Sequence, residues 1–272
     1  MQVFYTFPEG KAKALTMSYD DGNFQDERLV GIFNRYGIRG TFNLNGGMLG
    51  KGNRIPAERI PGLYRGYEIA THSLTHPTLT RLSLPYEAQE ILEDRKVLEK
   101  VTGQIVRGHA YPNGVYNEEL KQLLRSLGIA YARVTTASNG YELPEDPMEW
   151  LPTCHHADPD LLKKAEFFAD FHKPQYLKLF YVWGHSYEFD NDNSWDQIEE
   201  FCRILGGRDD IWYCTNLEII DYLEAARRLQ YTADCSAVYN PSAISVWVQP
   251  KEEGVEWGRG VREIPAGATV KL

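Results

Sequence analysis

The sequence has 272 residues, of which 43% are hydrophobic and 25% are charged, with a net charge of −9 and a pI near 5.3. These values are typical of one large globular domain or of a domain with a small appendage. The negative charge, without any basic cluster, disfavours nucleic acid or an anionic membrane as a partner. No apolar run approaches the roughly 20 residues of a membrane-spanning helix.

Short β-prone runs alternate with helical patterns over the first 230 residues. We predict strands at residues 12–19, 39–44, 67–71, 105–110, 129–134, 176–183 and 211–214. We predict helices at residues 25–36, 85–101, 117–127, 160–172, 195–205 and 216–230. Residues 135–159 carry several prolines and are predicted to be a long loop, a kind of segment that is often functional.

This alternation predicts an α/β fold with parallel strands, helical crossovers and closure into a barrel. The pattern changes after residue 230, where residues 237–250 and 261–272 are predicted to be short strands. We therefore expect a barrel over residues 1–230 and a short β-rich C-terminal extension over residues 231–272, packed on the barrel.

The first residues and the cysteines bear on the compartment of the protein. No basic segment followed by an apolar run opens the sequence, so we expect no signal peptide and a cytoplasmic location. The four cysteines form no C-x-x-C pair, which excludes a zinc finger and favours buried, reduced thiols. The sequence leaves a homo-oligomer open.

Two adjacent carboxylates, Asp20 and Asp21, follow the first predicted strand. Functional groups of α/β barrels gather at the carboxyl ends of the strands. Like charges this close raise at least one pKa unless a cation intervenes, and a metal on one Asp would leave the other as a base. The alternative is a plain turn, because Asp and Gly, here followed by Gly22, are favoured in turns.

Two histidines, His72 and His76, follow the third predicted strand. At i and i+4 they would lie on one face of a helical turn and could share a metal. With Asp21 they form a set of two imidazoles and one carboxylate that leaves positions open for water, as in a catalytic metal site. Sets of this kind also hold iron in oxygenases.

A third cluster follows the late predicted strand at residues 176–183, where His185 could serve as a general acid near neutral pH. The alternative is a structural histidine beside aromatic core residues.

In this order, the clusters resemble the polysaccharide deacetylase family, also called the NodB-homology domain or carbohydrate esterase family 4, over about residues 12–230. Residues 18–22 resemble its T-F-D-D-G motif, and residues 72–76 match H-[ST]-x-x-H. Residues 110–114 resemble R-x-P-[YF]-G, and residues 183–185 resemble the late histidine motif. The resemblance implies a distorted (β/α)7 barrel and a divalent metal, zinc first, with cobalt, nickel or manganese as alternatives.

The resemblance also implies roles for individual residues. Asp20 is the expected base, His185 the expected acid, and the backbone N–H of Tyr111 an expected oxyanion donor. The expected metal ligands are Asp21, His72 and His76. The residues expected to contact substrate are Pro112, Trp183, Tyr187 and Glu188.

The sequence departs from the family pattern at two motifs. Ala110 stands where the family has an arginine that orients the base, and the possible substitutes Arg107 and Arg133 are not in register. The family's D-x-x-D-W motif has only a weak counterpart at residues 146–150, with Glu149 in the second acidic position. His155 and His156 lie in the same long loop, where a solvated pair is favoured over substrate contact.

These observations favour a metal-dependent hydrolase that removes N- or O-linked acetyl groups from a carbohydrate. One alternative is an amidohydrolase of a small non-sugar amide, a ureide or imide, on the same fold. A second is a non-enzymatic carbohydrate-binding relative, which the two departures suggest and the intact acidic and histidine clusters oppose.

Overall fold

A computed structural model describes residues 2–251, 257 and 259–272. Its strands are β1 (Gln2–Thr6), β2 (Lys13–Asp20), β3 (Gly40–Leu44), β4 (Glu68–Thr71), β5 (Gly108–Ala110), β6 (Tyr131–Arg133), β7 (Cys154–His155), β8 (Lys178–His185), β9 (Ile211–Tyr213), β10 (Gln230–Tyr231), β11 (Ala237–Tyr239), β12 (Val246–Lys251), β13 (Arg262–Ile264) and β14 (Thr269–Lys271). Its α-helices are α1 (Asp26–Tyr36), α2 (Ile60–Leu63), α3 (Leu84–Thr102), α4 (Glu118–Ser126), α5 (Leu161–Ala169), α6 (Glu188–Asn191), α7 (Trp195–Leu205) and α8 (Asn216–Arg227).

The main sheet is parallel and follows the order β6-β5-β4-β3-β2-β8-β7. Its two edges approach each other, because Arg133 of β6 forms a parallel bridge to Trp150, just before β7. The predicted α/β class with a (β/α)7 barrel is confirmed by this curled, seven-stranded parallel sheet. The last strand of the alternation, β9, pairs with the first residues of β2.

The barrel is held by apolar layers on both sides of the sheet. Every residue of β2 is buried, as expected for a central parallel strand. On α1, Leu29, Ile32 and Phe33 are buried in the layer between the sheet and the helices. Helix α3 ends at Gly103, whose φ of 70° is left-handed, and this conformation favours glycine.

The segments after α8 form two further sheets, one of them together with the N-terminal strand. The N-terminal strand β1 pairs antiparallel with β12, which pairs with β13, and a second sheet has the order β10-β11-β14. Val246, Val248 and Ile264 are buried against the barrel together with Phe7. The division at residue 230 stays a prediction. No helix in the described part of the chain is long and apolar enough to span a membrane.

Two local predictions are wrong. The loop predicted at residues 135–159 contains β7, which pairs with β8 through its two residues and is too short to give a hydrophobic period. Residues 72–76 are not helical, because Ser73 and His76 have φ values of 64° and 61°. The two histidines are therefore placed by an irregular loop and not by the face of a helical turn.

Candidate metal centre and catalytic site

The predicted catalytic residues meet at the carboxyl ends of neighbouring strands. Asp20 is the last residue of β2, and it is paired in register with Asn43 of β3 on one side and His185 of β8 on the other. Paired residues of parallel strands project to the same face of a sheet, so these three side chains form a row. Asp21 follows directly in a turn with a φ of 80°.

Asp21, His72 and His76 each offer a ligand atom, and these atoms all lie within 4.8 Å of one another. One oxygen of Asp21, Oδ2, lies 3.2 Å from Nη2 of Arg54. The other, Oδ1, is buried and accepts no hydrogen bond within the described residues. A buried carboxylate oxygen without a partner is costly, and a cation would satisfy it. Two imidazoles and a carboxylate are a donor set that suits zinc, so these residues fit a divalent metal.

The ring of His72 is oriented so that one of its nitrogens can bind a metal. Its Nδ1 lies 2.8 Å from the carbonyl oxygen of Ala110, which can only accept, so Nδ1 carries the proton and Nε2 keeps its lone pair. Metal-binding histidines are commonly fixed in this way by a backbone carbonyl. The surrounding loop is held by Asn45, whose Nδ2 donates to the carbonyls of His72 and Ser73 at 2.6 and 2.9 Å.

A buried carboxylate on α3 supports the same loop. Asp94 accepts the backbone N–H of His72 at 3.1 Å and also the N–H of Gly46. Burial raises the pKa of Asp94, although the two N–H donors oppose this shift. The position of His72 therefore depends on a residue that the sequence patterns did not single out.

The carboxylate of Asp20 is held by Arg133. Both oxygens of Asp20 accept from Nη2 of Arg133, and Oδ1 also accepts from Nδ2 of Asn43 at 2.7 Å. Burial alone would raise the pKa of Asp20, but Arg133, with His72 and His185 nearby, holds it below its usual value. Asp20 is therefore charged at neutral pH, as a base must be.

Arg133 supplies the cation that is missing at Ala110. The two residues are paired in register on the neighbouring strands β6 and β5, so an arginine on one strand replaces an arginine expected on the other. Its guanidinium carbon also lies 4.4 Å from the centre of the Trp183 ring. Arg107, the other possible substitute, instead pairs with Asp221, with side chains that are 35% and 37% exposed.

His185 lies between two carboxylates. Its Nε2 is 3.9 Å from Oδ2 of Asp20, and its Nδ1 is 3.2 Å from Oε1 of Glu188. Burial alone would lower the pKa of His185, but Glu188 and Asp20 more than offset this and raise it. The imidazole therefore holds its proton to higher pH than a free histidine, as a general acid near neutrality requires.

Glu188, predicted from sequence to contact substrate, is surrounded by histidines. Besides His185, its Oε2 lies 3.2 Å from Nε2 of His155 and 3.3 Å from Nε2 of His156. The weak acidic motif does not reach this cluster, because Asp146 pairs with Lys121 at 2.7 Å. Glu188, which opens α6, is therefore the carboxylate beside His185.

The remaining predicted site residues differ in their exposure to solvent. Trp183 and Tyr187 are partly exposed and Tyr187 packs against His185, whereas Pro112 is buried. The N–H of Tyr111 donates to the carbonyl of Arg133 at 3.1 Å. That amide is therefore already used by the sheet and is not free to stabilise an oxyanion, contrary to the expectation from the resemblance.

One cavity of the protein lies away from these residues. Its volume is about 430 Å³, and it is lined by Lys11, Lys13 and His172 near the amino end of β2. Because the acidic and histidine clusters lie at the carboxyl ends of the strands, this cavity is on the opposite side of the barrel. Catalytic groups of α/β barrels belong to the carboxyl side, so we do not assign the reaction to this cavity.

Comparison with known sequences identifies relatives of part of the chain. Residues 8–132 match the family model described as polysaccharide deacetylase. The chain is 25% identical over 120 residues to YxkH of Bacillus subtilis (strain 168), which is assigned as a polysaccharide deacetylase. It is 27% identical over 115 residues to the peptidoglycan-N-acetylmuramic acid deacetylase PdaC of the same organism. The alignments cover 43% and 42% of this chain, but only 42% of YxkH and 24% of PdaC.

Solved structures share the fold over a longer part of the chain. A protein of Mycobacterium smegmatis assigned as a polysaccharide deacetylase superposes with a TM-score of 0.61 at 18% identity, covering 82% of this chain and 94% of that one. The carbohydrate esterase family 4 domain of a xylanase from a Trinervitermes trinervoides hindgut metagenome gives 0.55 at 17% identity, covering 78% and 92%. A family 4 pseudoenzyme of Bacillus anthracis gives 0.52 at 17% identity, covering 76% and 65%.

Proposed function

We propose that this chain, which is similar to the polysaccharide deacetylase family in sequence and fold, is a metal-dependent hydrolase that removes N- or O-acetyl groups from a carbohydrate. The observation that carries the proposal is the convergence of Asp21, His72 and His76 within 4.8 Å. Asp21 of this cluster directly follows Asp20, a buried carboxylate that Arg133 keeps charged.

Asp21, His72 and His76 would hold the metal, with zinc as the first choice. A divalent ion bound there supplies Lewis acidity, which makes a water more acidic and an acetyl carbonyl more electrophilic. The tautomer fixed by Ala110 leaves Nε2 of His72 as the donor, and the unpartnered Oδ1 of Asp21 is the oxygen that gains most from a cation.

The protein's own side chains handle the protons. Asp20, charged and fixed by Arg133 and Asn43, accepts the proton of the water that attacks the acetyl carbonyl. His185 then donates a proton to the departing sugar amine or alkoxide as the bond to the acetyl carbon breaks, and acetate leaves. After the reaction the proton held by Asp20 must return to His185 through solvent, because Nε2 of His185 lies 3.9 Å from Asp20.

Arg133 bears on the alternative that this chain is a relative without activity. A buried carboxylate is costly, so a relative with no reaction to perform could lose Asp20 and its cation together. Here the arginine expected at Ala110 is absent, yet a guanidinium still reaches both oxygens of Asp20 from the neighbouring strand. This restored contact favours an active hydrolase.

The test is acetate release from a panel of chitooligosaccharides, acetylated xylan, peptidoglycan fragments and small ureides, with metal content measured on the same sample. We expect acetate from at least one acetylated sugar and no turnover of the ureides. Turnover of a ureide without acetate release would instead assign the chain to the amidohydrolases.

Substitutions test the roles proposed for individual residues. His76→Ala should lose the metal held with Asp21 and His72, and activity with it, whereas Asp20→Asn should keep that metal and lose turnover by about 10²–10⁴-fold, the usual contribution of a general base. The exposed His172, outside both histidine clusters, provides the control His172→Ala, which should change neither quantity. Full activity of Asp20→Asn would show that another group is the base.

A further inference from the structure

A second group of ligand atoms lies beside the catalytic acid. His155, His185 and Glu188 each offer a ligand atom, and these atoms all lie within 4.8 Å of one another. The group combines β7, β8 and the start of α6, and it shares no residue with Asp21, His72 and His76.

The hydrogen bonding of this group is incomplete. Nδ1 of His185 is buried and, although 3.2 Å from Oε1 of Glu188, makes no hydrogen bond of acceptable geometry within the described residues. A buried imidazole nitrogen beside a carboxylate without a good hydrogen bond is costly, and a cation bound to Nδ1 of His185 would remove that cost.

Solvent can reach the group. The side chains of His155, His185 and Glu188 are 28%, 20% and 25% exposed, so an ion can enter without opening the barrel. Two imidazoles and one carboxylate suit zinc and its first-row neighbours, whereas magnesium and calcium prefer oxygen ligands alone.

We propose that His155, His185 and Glu188 bind a second divalent transition-metal ion, and that this ion inhibits the enzyme by withdrawing His185 from acid catalysis. Binding through Nδ1 of His185 requires that this nitrogen lose its proton to solvent. The proton left on Nε2 then belongs to a neutral imidazole, which does not give it up as an imidazolium does. The inhibitory half of the proposal rests on the proposed function; the binding half does not.

Binding is tested by equilibrium dialysis of the metal-free protein against zinc, with protein-bound zinc measured by mass spectrometry. We expect two zinc ions per wild-type chain, one for His155→Ala, and one for the double variant Asp21→Asn/His76→Ala. His172→Ala should bind two, because this exposed histidine belongs to neither group. Glu188→Gln should bind one, and it repeats the test if His155→Ala fails to fold by circular dichroism.

Inhibition is tested as the ratio of acetate release at ten equivalents of zinc to that at one equivalent. Acetate release by the wild type should be about a hundredfold lower at ten equivalents than at one, which is the low end of what a general acid contributes. For His155→Ala the two rates should agree within about twofold. A His155→Ala protein that still binds two zinc ions, or a wild type that saturates at one, overturns the second site. Two bound ions with an unchanged ratio overturn the inhibition. If no substrate releases acetate, the zinc counts still decide the binding site, so the two proposals fail separately.

Discussion

Replacement of Arg133 by methionine should damage both the stability and the chemistry of this protein. Arg133 is fully buried and donates to both oxygens of Asp20, which is itself 2% exposed. Removing one partner of a buried ion pair costs about 3–5 kcal/mol, because the remaining charge is left unpaired away from water. We therefore expect Arg133→Met to lower the free energy of unfolding by about this amount.

The same substitution should slow catalysis. Burial raises the pKa of Asp20 and Arg133 is the largest influence opposing it, so the acidic limb of the pH–rate profile should move to higher pH. Without a fixed, charged base, kcat should fall by about 10²-fold or more. Arg133→Lys keeps the charge but cannot reproduce the guanidinium geometry, so it should lie between the wild type and Arg133→Met.

Arg107→Met is the matched control. Arg107 also pairs with a single aspartate, Asp221, but both side chains are more than a third exposed, so the loss should be about 0–1 kcal/mol with no effect on kcat. Urea unfolding followed by tryptophan fluorescence measures both variants. In Arg133→Met/Asp20→Asn the uncompensated charge is gone, so stability should recover relative to Arg133→Met alone. Equal losses for Arg133→Met and Arg107→Met, or full activity of Arg133→Met, would refute this reasoning.

Three further substitutions test other parts of the site. Glu188→Gln removes the carboxylate that raises the pKa of His185. Because His185 acts as an acid in its protonated form, the alkaline limb of the kcat/KM profile, measured at one equivalent of metal, should move to lower pH. An unmoved limb would exclude the pairing of Glu188 with His185. Asp94→Ala leaves the backbone N–H of His72 with a weaker set of acceptors, so metal affinity should fall about 10–100-fold in a zinc titration, and unchanged affinity would show that α3 does not orient the ligand. Gly184→Ala places a Cβ 2.0 Å from a ring nitrogen of a buried histidine, so thermal unfolding should show a loss of about 1–3 kcal/mol, which an unaltered melting temperature would contradict.

The residues at strand ends were predictable from the sequence. The alternation of β-prone and helical runs placed Asp20, Asp21, His72 and His185 directly after strands, and the structure brings these strand ends together. Parallel strands in a barrel present their carboxyl ends on one side, so the positions of the strands along the chain were sufficient to group residues distant in sequence.

The partners of these residues were not predictable in the same way. Arg133 reaches Asp20 because β5 and β6 pair Ala110 with Arg133, and a register between strands leaves no periodic signal in one sequence. Strand β7 has only two residues and lies in a proline-containing segment, so the sequence predicted a loop there. The approach of His155 to Glu188 depends on that strand, and the histidine group therefore became visible only in three dimensions.

The most direct test of the metal centre is reconstitution of the metal-free protein. Zinc is added in fractions of one equivalent to a chelator-treated sample while acetate release from a responsive acetylated sugar is measured. Activity should be absent at the start, rise in proportion to zinc and reach its maximum near one equivalent, whereas His76→Ala should stay inactive throughout. Full activity in the metal-free wild type, or an equal response from His76→Ala, would contradict the assignment of Asp21, His72 and His76 as the ligands of one catalytic ion.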